Sequence, residues 1–211
     1  MTPAKKIFWE VDVQADFMLP GGKLYVAGAE KIIPNVKRLV DEARAGRALL
    51  VSSGDAHSMS DPEFAQFPPH CLKGTPGAEI LPEAREEQIL TIPNEPSFKL
   101  PDTFSGTGQI VLEKQTIDVF KTLHADEVVE RLGRDAEFIV FGVVTEFCVR
   151  GAAKGLLERG RKVSIVTDAI EQLSAEEARR TFDELKSLGA TLITTEQAVA
   201  GLREPAPAVR G

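Results

Sequence analysis

Two patterns of apolar residues alternate along most of the chain. Short continuous apolar runs are typical of strands buried on both faces of a sheet, whereas apolar residues spaced three and four apart predict amphipathic helices. In residues 29–45, Ile33, Val36 and Val40 recur at helical spacing, and Gly46 follows as a stop. This reading predicts strands over residues 6–13, 48–52, 109–113, 137–144, 162–167 and 190–194. It predicts helices over residues 29–45, 126–132, 148–159 and 174–188, with a short final helix beginning at Thr195.

Six strands that alternate with helices favour an α/β fold, a three-layer sandwich with a six-stranded, mostly parallel sheet. With the strand order 3-2-1-4-5-6, strands one and four flank the switch point where such sheets bind ligands. Residues 53–108 break the alternation: they are rich in Pro and Gly but retain many aromatic and aliphatic side chains. We therefore predict a single domain over residues 1–202 with an irregular functional insertion at about 53–108, and a disordered tail over 203–211.

Composition indicates which partners and which cellular location to expect. The 211 residues carry a net charge of −7, which gives no support to a nucleic-acid partner or an anionic membrane. No apolar run approaches the roughly 20 residues that cross a bilayer. The N-terminus lacks the apolar region of a secretory signal, so a cytoplasmic location is expected, with the two cysteines as reduced thiols.

Chemically useful side chains follow four of the predicted strands. Asp12 ends the first strand, Asp55 and His57 follow the second, Lys114 follows the third and Cys148 follows the fourth. Each alone is weak evidence, because a lone aspartate is often a turn residue and a lone cysteine is often a small buried hydrophobe. Their joint position at one sheet edge is more informative. Cys148 also opens a predicted helix, whose dipole favours the thiolate.

An aspartate, a lysine and a cysteine together favour hydrolysis of an amide or ester. The thiolate attacks the carbonyl carbon, and a carboxylate takes the thiol proton and later gives it to the leaving group. The lysine stabilises both anions, and backbone N–H groups at the helix start can bind the oxyanion.

The irregular insertion holds a candidate metal site. Asp55, His57 and His70 form a nitrogen and oxygen donor set suited to Zn, Mn or Fe, and either Asp61 or Glu63 could add an oxygen. The spacing alone is a weak signal, because histidines in loops are commonly only surface residues.

Several motifs resemble those of a known superfamily. Residues 11–17 (VDVQADF) resemble the opening motif of the isochorismatase-like cysteine hydrolases, and residues 143–150 (VVTEFCVR) resemble their nucleophile motif. Lys114 stands where these proteins have their lysine. Residues 55–57 (DAH) and 67–78 (FPPHCLKGTPGA) are similar to the nicotinamidase branch. The resemblance extends from about Ile7 to Thr195.

The resemblance implies a catalytic triad of Asp12, Lys114 and Cys148 on a parallel sheet of the order given above. It further implies a cis peptide between Val143 and Val144, with the N–H groups of Val144 and Cys148 forming the oxyanion hole.

The nicotinamidase branch implies a divalent metal, Zn, Mn or Fe, that holds the ring nitrogen of the substrate. The implied ligands are Asp55, His57 and His70, with Glu63 as the candidate fourth. The pyridine ring is expected between Phe17 and Phe67.

The resulting hypothesis is a nicotinamidase that converts nicotinamide to nicotinate and ammonia through a cysteine thioester. Two departures from the branch leave the substrate open: Ala56 replaces a usual aromatic, and Phe67 replaces a frequent tryptophan. The alternatives are a cysteine amidase for another small amide, such as a carbamoyl or ureido compound, and a non-catalytic binding module. A homodimer or homotetramer is expected from the superfamily.

Overall fold

The computed structural model of the protein describes residues 5–203. The strands are β1 (Lys6–Val11), β2 (Leu49–Asp55), β3 (Ile89–Ile92), β4 (Gln109–Lys114), β5 (Glu137–Val143), β6 (Lys162–Glu171) and β7 (Thr191–Ile193). The helices are α1 (Ala15–Met18), α2 (Ile33–Arg44), α3 (Ala125–Arg131), α4 (Arg150–Glu158), α5 (Ala175–Ser187) and α6 (Thr195–Arg203).

All strands pair in parallel in one sheet of order β3-β4-β2-β1-β5-β6-β7. The predicted order 3-2-1-4-5-6 is confirmed for the strands that the sequence identified. The predicted count of six was wrong, because β3 adds a seventh strand beside β4 at the sheet edge. This strand has only four residues and buries only Ile92 fully, so it shows no periodicity that sequence reasoning could detect.

Helices cover both faces of the sheet, as the three-layer prediction requires. Parallel crossovers are right-handed, so the step from β1 to β2 and the opposite step from β5 to β6 place their helices on opposite faces. On one face α2 packs against α6, and on the other α4 packs against α5. The helix ends agree with the sequence signals: Ser174 caps α5 by accepting a hydrogen bond from the backbone N–H of Glu177.

Successive side chains of β1 point to opposite faces of the sheet and so contribute to the core on both faces. Trp9 packs with Phe120 and Phe138, whereas Phe8 makes an edge-to-face contact with Phe141. All four aromatic residues from β1 and β5 are buried completely. The centre of the sheet is therefore rigid, and its strand ends are fixed supports for functional groups.

The segment over residues 53–108 is largely irregular, with short 3-10 turns at Pro62–Ala65, Pro76–Ala78 and Pro82–Ala84. Its first three residues belong to β2, and β3 lies within it. The division into one domain stays a prediction, and the predicted tail lies, apart from Arg203, outside the described residues. Over residues 5–203, no helix combines the length and the apolar character needed to cross a bilayer.

Gly142 marks the closest approach of β1 and β5. Its φ is +117°, a backbone conformation that side chains disfavour. A Cβ atom at this position would lie 2.0 Å from the carbonyl oxygen of Val11. Since both strands are buried at this point, neither can move away without separating the sheet just before Asp12 and Val143.

We expect Gly142→Ala to lower the free energy of unfolding by roughly 3 kcal/mol or more, because a backbone clash is added to an unfavourable φ. Urea denaturation measures this change. Gly201→Ala is the matched control, because Gly201 lies in α6 with open space around it. A helical alanine there should leave stability unchanged or raise it by up to about 1 kcal/mol. Equal effects of the two substitutions would contradict the packing argument.

Candidate active site

The carboxyl ends of β1, β2, β4 and β5 converge on one edge of the sheet. Asp12 directly follows β1 and has a φ of +51°, which turns the chain away from the sheet. The turn is held because the N–H of Asp12 donates to Ser53 O at 3.0 Å, and the N–H of Gln14 donates to Asp12 O at 2.8 Å. This left-handed conformation is uncommon outside glycine and aims the Asp12 side chain along the sheet edge.

Lys114 is the centre of the site. Its Nζ lies 2.9 Å from Asp12 Oδ2 and 3.6 Å from Cys148 Sγ, and it donates a hydrogen bond to Asp55 Oδ1. Burial would lower the pKa of Lys114, but Asp12 and Asp55 raise it well above its usual value. The three residues proposed as a triad from the sequence thus lie in contact around a permanently charged ammonium group.

Cys148 lies in a π-helical turn over Thr145–Val149, just before α4 begins at Arg150. The peptide between Val143 and Val144 is cis, as the resemblance implies. Burial, and then the charge of Asp12, raise the pKa of the Cys148 thiol well above its ordinary value, although Lys114 opposes them. This direction is opposite to the one expected from the helix dipole, which favours the thiolate.

Asp12 is suited to accept the thiol proton. Burial raises its pKa to about 6, while Lys114 and a hydrogen bond from Cys148 act in the opposite direction. A carboxyl group with this pKa is ionised at neutral pH, yet it is more basic than an exposed aspartate. Such a value is useful for a group that must take up and release a proton within one reaction.

A second cluster lies beside the lysine and contains Asp55, His57, Glu63 and His70, whose ligand atoms all lie within 4.8 Å of one another. Asp55 Oδ2 is 3.5 Å from His57 Nε2 and 3.4 Å from His70 Nε2. Glu63 Oε1 is 4.0 Å from His70 Nε2. All four candidate metal ligands predicted from the sequence are thus brought together, and three of them are almost fully buried.

Each histidine is oriented by its other ring nitrogen. Asp61 Oδ2 lies 3.0 Å from His57 Nδ1, and His70 Nδ1 donates to Pro68 O at 2.8 Å. Both Nε2 atoms are thereby directed into the cluster, and that of His57 has no hydrogen-bond partner among residues 5–203. Histidine ligands of metals are usually fixed in this way, so the donor set fits a divalent metal such as zinc. Between the two alternatives left by the sequence, Glu63 faces the cluster and Asp61 supports His57.

The pKa values of the two carboxyl groups in this cluster shift in opposite directions. Burial would raise the pKa of Asp55, but Lys114 and the two histidines hold it well below its usual range. Burial, and then the charge of Asp55, raise the pKa of Glu63. Several acidic oxygens in a buried space favour a cation there.

A cavity of about 80 Å³ lies between the metal-ligand cluster and Cys148. Phe17 and Phe67 both line it, and so do Glu63 and His70. Its remaining wall is mostly apolar, which suits a flat ring that carries one polar group. Phe17 and Phe67 therefore both face this cavity, and their contacts with a substrate stay a prediction.

Sequence reasoning missed residues that complete this cavity. Leu24, Tyr25 and Val26 line it from the segment before α2, where no motif or periodicity draws notice. Tyr25 is held in place because its hydroxyl donates to Glu30 Oε2 and accepts from the N–H of Gly28. These residues become visible only when the fold brings their segment over the sheet edge.

The second cysteine has a structural setting. Cys71 is fully buried, and its backbone N–H donates to Asp16 Oδ2 at 2.7 Å. Asp16 Oδ1 also accepts from the N–H of Lys23 at 3.0 Å, which ties the segment carrying His70 to α1. Burial raises the pKa of the Cys71 thiol, so this residue is a poor nucleophile. Both cysteines are free thiols.

Comparisons with known proteins agree with this geometry. The nicotinamidase of Escherichia coli (strain K12) is 24% identical over 208 residues, covering 87% of this chain and 92% of that protein. The nicotinamidase/pyrazinamidase of Mycobacterium tuberculosis is 26% identical over 189 residues, covering 87% and 95%.

Among solved structures, the pyrazinamidase of Pyrococcus horikoshii in complex with zinc superposes with a TM-score of 0.71 at 26% identity. The match covers 90% of this chain and 99% of that one. The sequence model of the Isochorismatase domain matches residues 10–197. The chain therefore belongs to the isochorismatase family.

Proposed function

We propose that the protein is a metal-dependent nicotinamidase that hydrolyses nicotinamide to nicotinate and ammonia. The observation that carries this proposal is one small, mostly apolar cavity whose wall includes both Cys148 and three members of the metal-ligand cluster, Asp55, Glu63 and His70. The relatives named nicotinamidase in E. coli and M. tuberculosis support the substrate. Such a reaction serves NAD salvage. A cytoplasmic location and a homodimer or homotetramer stay predictions.

In the first half of the reaction, Asp12 takes the proton of the Cys148 thiol as the sulfur attacks the carboxamide carbon. Lys114 contacts both groups and stabilises the negative charge as it moves from the carboxylate to the sulfur and then to the substrate oxygen. The oxyanion accepts hydrogen bonds from the N–H groups of Val144 and Cys148. Asp12 then gives its proton to the leaving nitrogen, the C–N bond breaks, and ammonia leaves a thioester on Cys148.

In the second half, Asp12 takes a proton from a water molecule whose oxygen attacks the thioester carbon. The C–S bond breaks, the proton returns to the sulfur, and nicotinate leaves. The same carboxylate thus acts as base, acid, base and acid in turn, which is consistent with its pKa of about 6.

Asp55, His57, Glu63 and His70 would hold the metal, which when bound supplies a Lewis acid for the ring nitrogen of the substrate. Phe17 and Phe67 would contact the two faces of the ring. Together they would orient the carboxamide toward Cys148, so that binding of the ring by the metal and the two phenylalanines places the reacting carbon beside the sulfur. The zinc complex of the P. horikoshii relative favours zinc as the metal.

We expect Cys148→Ala to abolish ammonia release from nicotinamide while leaving the fold intact, because no other group can form the thioester. Coupled detection of ammonia measures the rate, and circular dichroism checks the fold. Cys71→Ala is the control, a buried cysteine outside the cavity that should retain about half of the activity or more. A residual rate in Cys148→Ala above about one hundredth of wild type would exclude it as the nucleophile.

The substrate is tested separately from the nucleophile. If folded, metal-loaded wild type releases no ammonia from nicotinamide, carbamoyl and ureido compounds should be assayed next. Ammonia from one of them, again dependent on Cys148, would keep the chemistry and replace the substrate.

Removal of the metal with a chelator should lower the rate at least about tenfold, and added Zn²⁺, Mn²⁺ or Fe²⁺ should restore it. Metal content by mass spectrometry accompanies each assay. His57→Ala should bind less metal, whereas His124→Ala should behave as wild type, since the His124 side chain contacts Glu95 O and Phe98 and lies outside the metal-ligand cluster. An unchanged rate in a metal-free sample would refute the metal's role.

The dependence of kcat/KM on pH should show an acid limb near pH 6, because Asp12 must be ionised to accept the thiol proton. Below that value the rate should fall about tenfold per pH unit, and above it the rate should level off. The profile should be repeated at two saturating metal concentrations, since protonation of the histidine ligands would move with metal concentration and protonation of Asp12 would not. A flat profile down to about pH 5 would contradict the assignment.

A further inference from the structure

Strands β1 and β2 are neighbours in the sheet, but β2 extends further than β1 toward the candidate active site. The last register pair of β1 and β2 is Val11 with Ser53, and the chain then turns away at Asp12. Strand β2 continues to Asp55. The N–H and C=O of Asp55 on the β1 side therefore extend beyond the strand that would pair with them, and buried backbone groups require partners.

The side chain of Gln14 supplies both partners. Its Oε1 accepts from the N–H of Asp55 at 2.7 Å, and its Nε2 donates to Asp55 O at 2.7 Å. A carboxamide has the same donor and acceptor as a peptide unit, so this side chain extends the β1–β2 ladder by one residue. Gln14 is only 2% exposed, which excludes water as an easy substitute.

The same amide nitrogen also reaches the insertion. Nε2 of Gln14 donates to Ala78 O at 2.7 Å, and the backbone of Gln14 forms an isolated antiparallel bridge with Ile80. One side chain thus joins the end of β2 to the segment that closes the insertion over the sheet edge.

Asp55 is the residue whose position matters most to both clusters. One of its carboxylate oxygens accepts from Lys114, and the other faces His57 and His70. A displacement of its backbone would therefore change the lysine and the metal ligands together.

We propose that Gln14 is a positioning residue that holds Asp55 where one carboxylate serves both Lys114 and the metal site. The inference deepens the proposed function and rests on it for the presence of a metal. Gln14 itself contacts neither the candidate ligand atoms nor Cys148, and it acts through the backbone of Asp55.

The chain contains a matched control in Gln109. This residue is also fully buried, and its carboxamide also makes three hydrogen bonds: Nε2 donates to Ser52 Oγ at 2.8 Å and to Ala84 O at 3.1 Å, and Oε1 accepts from the N–H of Glu86 at 2.9 Å. Gln109 is the first residue of β4 and Lys114 is the last, so Gln109 lies at the amino ends of the strands, away from the site.

The test compares Zn²⁺ affinity of full-length wild type, Gln14→Leu and Gln109→Leu in the absence of substrate, by competition with a chromogenic chelator. Both variants should lose thermal stability, since each leaves buried polar groups unpaired. Only Gln14→Leu should bind Zn²⁺ about 10- to 100-fold more weakly, the usual effect of losing a supporting contact around metal ligands. Gln109→Leu should stay within about threefold of wild type.

A folded Gln14→Leu protein with wild-type Zn²⁺ affinity would overturn the proposal, and so would an equal loss in Gln109→Leu. If Gln14→Leu does not fold, Gln14→Glu decides the question, because it keeps the acceptor for the Asp55 N–H and loses the two donated bonds. Its added negative charge would by itself strengthen Zn²⁺ binding, so weaker binding identifies lost positioning. Wild-type or tighter affinity in this variant would overturn the proposal.

A second measurement tests whether Gln14 also positions Lys114. At Zn²⁺ concentrations that saturate the Gln14 variant, kcat for ammonia release from nicotinamide should remain at least about fivefold below wild type. Full recovery would overturn the claim that Gln14 serves Lys114 as well.

The two proposals fail in different ways. If wild type binds Zn²⁺ but does not hydrolyse nicotinamide, the substrate is wrong, and the comparison of affinities still decides the role of Gln14. If wild type binds no Zn²⁺, the metal-dependent function and the inference are both overturned.

Discussion

A buried ammonium group determines much of this site. Lys114 is 1% exposed, and a charge so far removed from water is tolerated only beside opposite charges and hydrogen-bond acceptors. Asp12 and Asp55 supply these, and each ends or follows a different strand. The parallel sheet can meet this requirement because it aligns the carboxyl ends of β1, β2 and β4 within contact distance.

The same pairing explains why the site cannot be divided into independent parts. Asp12 must remain basic while compensating Lys114, and Asp55 must compensate Lys114 while facing two histidines. Removing one carboxylate would leave the lysine under-compensated and shift the proton affinity of the others. Substitutions in this network should therefore combine non-additively, as is usual for residues that share partners.

Periodicity and strand-end chemistry were sufficient to predict the fold class, the order of six strands and the convergence of Asp12, Lys114 and Cys148. Other features depend on contacts that spacing does not encode. β3 is too short to show a period, and the choice of Glu63 over Asp61 follows from the turn at Pro62–Ala65.

The direction of the Cys148 pKa shift does not follow from its place at a helix terminus, because burial and the nearby Asp12 act in the opposite sense. Triad roles, ligand roles and the Phe17 and Phe67 contacts remain predictions from motifs.

The insertion over residues 53–108 bears on how this protein can change over evolutionary time. It carries His57, Glu63, Phe67 and His70, whereas Asp12, Lys114 and Cys148 lie outside it, at or just beyond the carboxyl ends of β1, β4 and β5. A substitution at Phe67, which lines the cavity, can therefore change what enters it while leaving Asp12, Lys114 and Cys148 in place. New specificities are thus accessible through the insertion, while the strand ends keep the reacting groups together.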